Sequence, residues 1–176
     1  VVDAVQRAHD VVELSNLKRQ VLFTEADVGR PKVEAGVERL RALNSDIRIT
    51  GERCRITGTE QLRALVERCD VLALFADQPG EIRAWANRAC LDAGRPWVDA
   101  GYHGPVPQAT AYVPGSGACY ECVWLTAHDR WAADGNTRPY SVRRHGNNAV
   151  FAPSAAISGQ LAAHLVIALL TGVAQV

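Results

Sequence analysis

The sequence contains no methionine among its 176 residues and begins with Val1-Val2-Asp3. We therefore expect an incomplete record of a longer translation product. An excess of charge of either sign is also absent, because 19 basic residues balance 19 acidic ones. No global electric field then attracts nucleic acid or an anionic membrane, and we expect neither as a partner.

Long apolar runs are missing as well. The most apolar stretch, Leu161–Leu170, is interrupted by His164 and is shorter than the roughly 20 residues that span a membrane. No secretory signal stands at the N-terminus. The five cysteines, two in a C-x-x-C and three scattered, do not form the pattern of a secreted disulfide scaffold. These absences predict a cytoplasmic protein.

The length suits one sizeable core, so we predict a single domain over residues 1–176. The predicted strands are Val1–Asp3, Ile47–Ile56, Val71–Phe75, Trp97–Asp99 and Gln108–Val113. The predicted helices are Pro31–Leu43, Glu60–Arg68, Glu81–Ala93 and Ala155–Leu170. This alternation indicates an α/β fold, with a doubly wound, mostly parallel sheet that carries helices on both faces.

Local signals refine these boundaries. Thr57, three residues before Glu60, is typical of a capping box. Gly94 and Gly172 stand where helices end, as glycine caps do. The polar segment Leu125–Asn148, rich in arginine, asparagine and glycine, predicts a mobile loop.

The most informative stretch follows the first predicted strand. It reads D-V-V-E-L-S-N-L-K-R-Q over Asp10–Gln20 and D-V-G-R-P-K over Asp27–Lys32. Arginine binds phosphate oxygens through two hydrogen bonds at once, and lysine binds them as a single positive charge. Asparagine can form hydrogen bonds to a sugar or a phosphate. Together these side chains suit the binding of a polyphosphate that carries Mg²⁺. The alternative is that the stretch is a solvated loop with a short basic helix and binds no ligand.

Two further features carry candidate metal ligands. Asp77 follows the predicted strand Val71–Phe75, and ligands of open α/β sheets bind beyond the carboxyl ends of strands. Its carboxylate suits Mg²⁺, or else it caps the next helix. Cys119 and Cys122 have the spacing of half a tetrahedral zinc site, with a redox pair or two idle thiols as alternatives.

These residues resemble the D-x-V-E-x-S-N-L-x-R-Q … D-V-G-x-x-K signature of the ThiF/MoeB/ubiquitin-activating superfamily of ATP-dependent adenylating enzymes. The likeness runs from Asp10 to Gly172. Three stretches look most like the MccB branch, whose enzymes mature microcin C-type nucleotide peptides: Ala76–Pro79, Ala100–Tyr102 and Tyr112–Cys122. ThiF and MoeB usually read T-D-N where this chain reads Ala76-Asp77-Gln78.

The resemblance implies roles for particular residues. It makes Arg19 and Lys32 phosphate-binding residues, Asn16 a nucleotide contact, Gln20 a helper through its amide, and Asp77 the magnesium ligand.

The family places a ribose-binding acid two residues before Asp10, where this chain has Ala8. Val1-Val2-Asp3-Ala4 joined to Asp10 would restore the usual pattern. We therefore expect residues 5–9 to be an insertion and Asp3, at the strand end, to contact the ribose. The family's Gly-rich phosphate loop is absent from this sequence.

The resemblance also implies zinc on Cys119 and Cys122, closed by a second C-x-x-C beyond the last helix. His128, His145 and Cys90 are substitutes within the chain. His103, between Gly101 and Gly104, is either a lining residue of the acyl channel or an ordinary loop histidine.

The implied function is ATP-dependent adenylation of the C-terminal carboxylate of a ribosomal peptide, as acyl-AMP, by a homodimer that uses ATP, Mg²⁺ and Zn²⁺. A small sulfur-carrier protein is the alternative substrate, and a non-catalytic subunit of a heterodimeric activating enzyme is a further alternative. A NAD-binding Rossmann domain shares the element order but has no need of Asn16, Arg19 and Lys32 together.

Overall fold

The computed structural model describes residues 3–133 and 152–173. The chain divides into two compact units, Val1–Arg55 and Ile56–Val176. The single domain expected from the length stays a prediction.

The first unit contains β1 (Asp3–Ala8), α1 (Lys32–Leu43) and β2 (Arg48–Arg53). The two strands pair in parallel, in a register that runs from Asp3 opposite Arg48 to Ala8 opposite Arg53. Parallel neighbours need a crossover connection, and α1 provides it. This is the strand-helix-strand order that the sequence predicts.

Helix α1 lies directly against the backbone of β2. Its buried face is formed by Val33, Ala35, Gly36 and Val37. A Cβ added to Gly51 of β2 would lie 2.8 Å from a methyl carbon of both Val33 and Val37, so only glycine permits this approach. Leu43, the last residue of α1, is 75% exposed and lies outside this buried face.

The second unit contains two helices and three strands, followed by two more helices. They are α2 (Thr59–Val66), β3 (Leu72–Leu74), α3 (Ile82–Ala93), β4 (Trp97–His103), β5 (Val106–Tyr112), α4 (Tyr120–Ala133) and α5 (Ala152–Thr171). The sheet order is β3-β4-β5. Strand β4 is parallel to β3 and antiparallel to β5.

The core of this unit forms around Trp97, which is 1% exposed. Its ring stacks on Tyr112 at 4.7 Å between centroids, and Tyr120 stands 6.0 Å away. Apolar residues of α2 and α3 complete the cluster: Leu62, Val66, Ile82, Ala86, Ala89 and Cys90. Burial raises the pKa of the Cys90 thiol to about 12, so this cysteine behaves as an apolar core residue.

Helix α5 packs on the same sheet through Ala162, which contacts Val98 and Ala100. The buried Ser158 hydroxyl donates to the Gly101 carbonyl and accepts from the Gln108 backbone N–H. Contrary to the expectation from the sequence, α5 is long and apolar enough to cross a membrane, with 22% of its apolar window buried. One such helix is weak grounds for a span, since core helices also meet this criterion.

The α/β class is confirmed, and the pairs β1–β2 and β3–β4 are parallel as predicted, whereas β4–β5 is antiparallel. The strands do not share one ladder in the described residues, because β1–β2 and β3–β4–β5 form separate hydrogen-bonded sheets. The predicted capping box at Thr57 is wrong. Helix α2 begins at Thr59, and the Thr57 backbone N–H donates instead to Gln61 Oε1 at 3.0 Å.

The predicted loop Leu125–Asn148 is also wrong in its first part, since α4 continues to Ala133. Arginine and tryptophan there have adequate helix propensity, and polarity alone does not distinguish an exposed helix from a loop. Residues 134–148 of that prediction lie outside the described residues.

Candidate functional site

The two halves of the signature are bonded to each other within the first unit. The Val12 backbone N–H donates to the Arg30 carbonyl at 2.9 Å, and the Gly29 N–H donates to the Val12 carbonyl at 2.8 Å. The Lys32 N–H donates to the Asp10 carbonyl at 2.9 Å. Gly29 has a φ of 87°, which glycine adopts without strain. Residues far apart in sequence therefore form one compact loop structure.

Lys32 opens α1 with its side chain held in place. Its Nζ lies 3.4 Å from Asp10 Oδ2, and the side chain is only 17% exposed. Asp10 is 54% exposed and also lies 3.2 Å from His9 Nε2. The ammonium is thus kept near the start of a helix, where the helix dipole favours an anion.

Asn16 is 6% exposed and forms part of a short 3-10 turn over Leu14–Asn16. Its Oδ1 accepts the Glu13 backbone N–H at 3.2 Å, and its Nδ2 donates to Ser15 Oγ at 3.4 Å. Since the oxygen stabilises the turn, a ligand contact from Asn16 would use Nδ2.

Arg19 and Gln20 are half-buried, whereas Lys18 beside them is exposed. Arg19 Nη1 donates a long bond of 3.4 Å to the Ser15 carbonyl. Gln20 Oε1 is buried and has no hydrogen-bond partner among the described residues. An unpaired buried amide oxygen is unfavourable by about 1–3 kcal/mol, and a donor on a bound ligand would relieve that penalty.

Sequence reasoning missed Asp27, which anchors the second half of the signature. Its side chain is 4% exposed and accepts from the backbone N–H and hydroxyl of Thr24, both at 2.9 Å, and from Arg30 at 2.9 Å. The pKa of the Asp27 carboxyl is held below its usual value, mainly by the hydrogen bond from the Thr24 backbone and next by the one from the Thr24 hydroxyl. The T-x-x-D spacing of a capped turn was the available signal.

The assignment of Asp3 rested on a strand that ends there, and that premise is wrong. β1 runs from Asp3 to Ala8 and pairs with β2 throughout, so the strand does not end at Asp3. Asp3 lies at the amino end, about 16 Å from the carboxyl end by the rise of a strand. Asp10 is the first acid after the strand.

In the second unit Asp77 lies three residues beyond β3 and is exposed. It makes no hydrogen bond or ion pair with another residue in the described part of the chain. The alternative role as a helix cap does not hold, because α3 begins at Ile82, whose N–H donates to the Pro79 carbonyl at 2.9 Å. The carboxylate is therefore available beyond the carboxyl end of its strand.

A partly buried ion pair that the sequence did not indicate stands close to that strand end. Arg83 Nε donates to both oxygens of Asp99, at 2.9 and 3.0 Å. Asp99 is opposite Leu74, the last residue of β3. The pair connects the first turn of α3 to β4. It therefore fixes where α3 begins, at the end of the segment that carries Asp77.

Cys119 and Cys122 lie together at the start of α4, with their sulfurs 3.5 Å apart. Two thiolates at about 2.3 Å from a tetrahedral Zn²⁺ stand roughly 3.8 Å apart, so the pair fits half of a zinc site. The Cys122 backbone N–H lowers the pKa of Cys119, which favours the thiolate that binds metal.

The described residues contain no group of three or more metal-binding side chains. Cys90 is buried in the core, His128 lies in α4 and His145 lies outside the described residues. His103 closes β4 rather than lying in a loop. The structure brings Asn16, Arg19, Gln20 and Lys32 into the first unit, and Asp77, Cys119 and Cys122 into the second.

The model of the ThiF family matches residues 8–176. The sulfur carrier protein ThiS adenylyltransferase of Escherichia coli is 39% identical over 118 residues, which are 65% of this chain and 45% of that protein. The crystal structure of Escherichia coli MccB with ATP has a TM-score of 0.78 and 30% identity, covering 96% of this chain and 48% of that one.

A second MccB structure, of the microcin C7 biosynthetic enzyme in complex with N-formylated MccA, has a TM-score of 0.79 and 29% identity. It covers 96% of this chain and 49% of the other. The chain thus spans about half the length of these relatives.

Proposed function

This chain belongs to the ThiF family, and from that membership we propose that it is an ATP-dependent adenylyltransferase that activates the C-terminal carboxylate of a ribosomal peptide. The observation that carries the proposal is the bonded loop of the first unit. It holds Lys32 at a helix start and Arg19 half-buried in the same signature, as a polyphosphate requires.

In the proposed reaction a carboxylate oxygen of the peptide attacks the α-phosphorus of ATP. The bond from that phosphorus to the oxygen that joins it to the β-phosphate breaks, and this oxygen leaves as part of pyrophosphate, so the products are acyl-AMP and pyrophosphate. The protein supplies position and charge rather than covalent chemistry. Arg19 and Lys32 bind phosphate oxygens. Asn16 Nδ2 and Gln20 Oε1 contact the nucleoside side, and the Asp10 carboxylate replaces Asp3 as the candidate ribose contact.

We assign Asp77 to Mg²⁺, which neutralises phosphate charge when bound. Its exposure and its position beyond β3 support this assignment. We assign Cys119 and Cys122 to a structural Zn²⁺, supported by their sulfur separation of 3.5 Å. The described residues place no third metal-binding side chain beside this pair.

The peptide substrate is favoured by the likeness to MccB, which extends over 96% of this chain and includes a complex with N-formylated MccA. A sulfur carrier is the second candidate, favoured by the 39% identity to the ThiS adenylyltransferase. A non-catalytic subunit is the third candidate. It is favoured by Ala8, which stands where the family pattern places the ribose-binding acid.

The test is ATP–pyrophosphate exchange on the native-length protein with three additions in parallel. They are a short peptide encoded beside the gene, the same peptide with an amidated C-terminus, and a sulfur carrier ending in Gly-Gly. We expect exchange with the free-acid peptide alone. Exchange with the sulfur carrier alone selects the second candidate. No exchange with any of them, while ATP still binds, selects the non-catalytic subunit.

We also propose a cytoplasmic homodimer. The five cysteines are not joined in disulfides, which fits a reducing compartment. Exposed apolar residues on α5, among them Ile157, Ile167 and Leu170, support a covered face in the assembly. Light scattering of the native-length protein checks the dimer.

A further inference from the structure

Asn87 is fully buried in the middle of α3. Its neighbours Ala86, Ala89 and Cys90 belong to the apolar core of the second unit. Burial of an amide in such surroundings destabilises the fold unless both its oxygen and its nitrogen are hydrogen-bonded. The partners of Asn87 therefore indicate its structural role.

Among the described residues, the hydrogen bonds of this amide go to three consecutive residues at the start of α4. Oδ1 accepts the backbone N–H of Tyr120 at 3.2 Å. Nδ2 lies 3.2 Å from Glu121 Oε2 and 3.6 Å from Cys119 Sγ. Tyr120 opens α4, so its N–H has no acceptor within its own helix.

We infer that Asn87 is a positioning residue for the Cys119–Cys122 turn, which caps α4 from another helix and orients the Cys119 sulfur for a zinc ion. The inference rests on the zinc site assigned to the proposed function. Asn87 itself does not ligate metal.

The physical reason is the shape of the amide. A single planar group presents an acceptor to Tyr120 and a donor to Cys119, so the helix start and the sulfur are fixed relative to one rigid element. A donor also stabilises the negative sulfur of a metal-bound cysteine. Partners of this kind typically change metal affinity by about tenfold to a hundredfold.

Two substitutions separate these bonds. Asn87→Asp keeps an acceptor for Tyr120 but replaces the donor with a carboxylate that faces Glu121 and Cys119. The serine side chain in Asn87→Ser is neutral and too short to reach Tyr120 or Cys119. Arg88→Ala is the matched control, since Arg88 is the next residue of α3, is exposed, and stands 4.0 Å from Glu121.

Zinc affinity is measured on the native-length protein by competition with a chelator. We expect Asn87→Asp and Asn87→Ser to weaken binding by about tenfold to a hundredfold, and Arg88→Ala to change it less than threefold. Wild-type affinity in both Asn87 variants, or no zinc binding by the wild type, overturns the orienting role.

Hydrogen exchange of the zinc-free protein tests the cap separately. We expect the Tyr120 amide to exchange faster in Asn87→Ser and to stay protected in Asn87→Asp and Arg88→Ala. Unchanged exchange in Asn87→Ser overturns the cap. If neither Asn87 variant folds, slow exchange of the Asn87 side-chain protons in the wild type supports the bonds, and fast exchange contradicts them. Neither measurement depends on adenylation.

Discussion

The stretch Asp10–Lys32 in the first unit and helix α3 in the second are ordered by different interactions. In the stretch, backbone bonds and the buried Asp27 carboxylate hold a chain with little regular structure. In α3, the core around Trp97 fixes the helix, and two polar groups, Asn87 and Arg83, make bonds to neighbouring elements. Charges that must meet a ligand at the surface cannot be held by apolar packing, so polar bonds replace it.

The largest effect is expected from Asp77→Ala. It should abolish ATP–pyrophosphate exchange while the thermal unfolding midpoint stays within the error of the wild type, because the carboxylate is exposed. Exchange assays and calorimetry check both parts. Glu81→Ala, an exposed acid in the same segment, is the control and should retain activity. Near-normal exchange in Asp77→Ala would remove its metal role.

Trp97→Ala should lower the free energy of unfolding by about 3–5 kcal/mol, the usual range for deletion of a buried aromatic ring. The reason is the loss of the stack on Tyr112 and of the core of the second unit. Urea unfolding followed by circular dichroism measures the change. Phe75→Ala, at a 60% exposed position, should differ by less than about 1 kcal/mol. Equal losses of unfolding free energy in both variants would contradict the conclusion that the apolar core around Trp97 stabilises this unit.

Arg19→Ala and Lys32→Ala should each reduce exchange by about tenfold to a thousandfold, the scale of a lost transition-state charge contact. Lys18→Ala is the matched control, because Lys18 is exposed beside the half-buried Arg19. Steady-state exchange rates at saturating ATP provide the measurement. If Lys18→Ala shows the larger defect, the phosphate contact has been assigned to the wrong cation.

The smallest effect concerns pH. The pKa of Asp27 is lowered in the folded protein, so its contribution to stability is present above the unfolded value of 3.8 and is lost as pH falls through the folded value. Asp27→Asn should therefore reduce the loss of stability in the acidic window that starts near the unfolded value of 3.8 and extends below it. Unfolding midpoints across that window test it, with exposed Asp46→Asn as the control. An unchanged pH profile in Asp27→Asn would show that the hydrogen bonds of Asp27 do not stabilise the fold.

Much of the fold was predictable because its signals are local. Apolar periodicity and a terminal glycine define α3 and its end at Gly94, whose φ of 62° matches the cap. Two predictions from polar patterns were wrong: the capping box at Thr57 and the first part of the loop predicted from Leu125. Such patterns occur in loops and in exposed helices alike, and only packing separates them.

For the candidate site, the sequence by itself determined the family, the residue types and their order along the chain. Tertiary structure alone decided which end of β1 carries Asp3, and that Asp77 does not cap α3. It also decided the partners of Asn87, which lie more than 30 residues away in sequence. Side-chain periodicity is a property of neighbouring residues, whereas a hydrogen bond across such a separation depends on how whole elements pack.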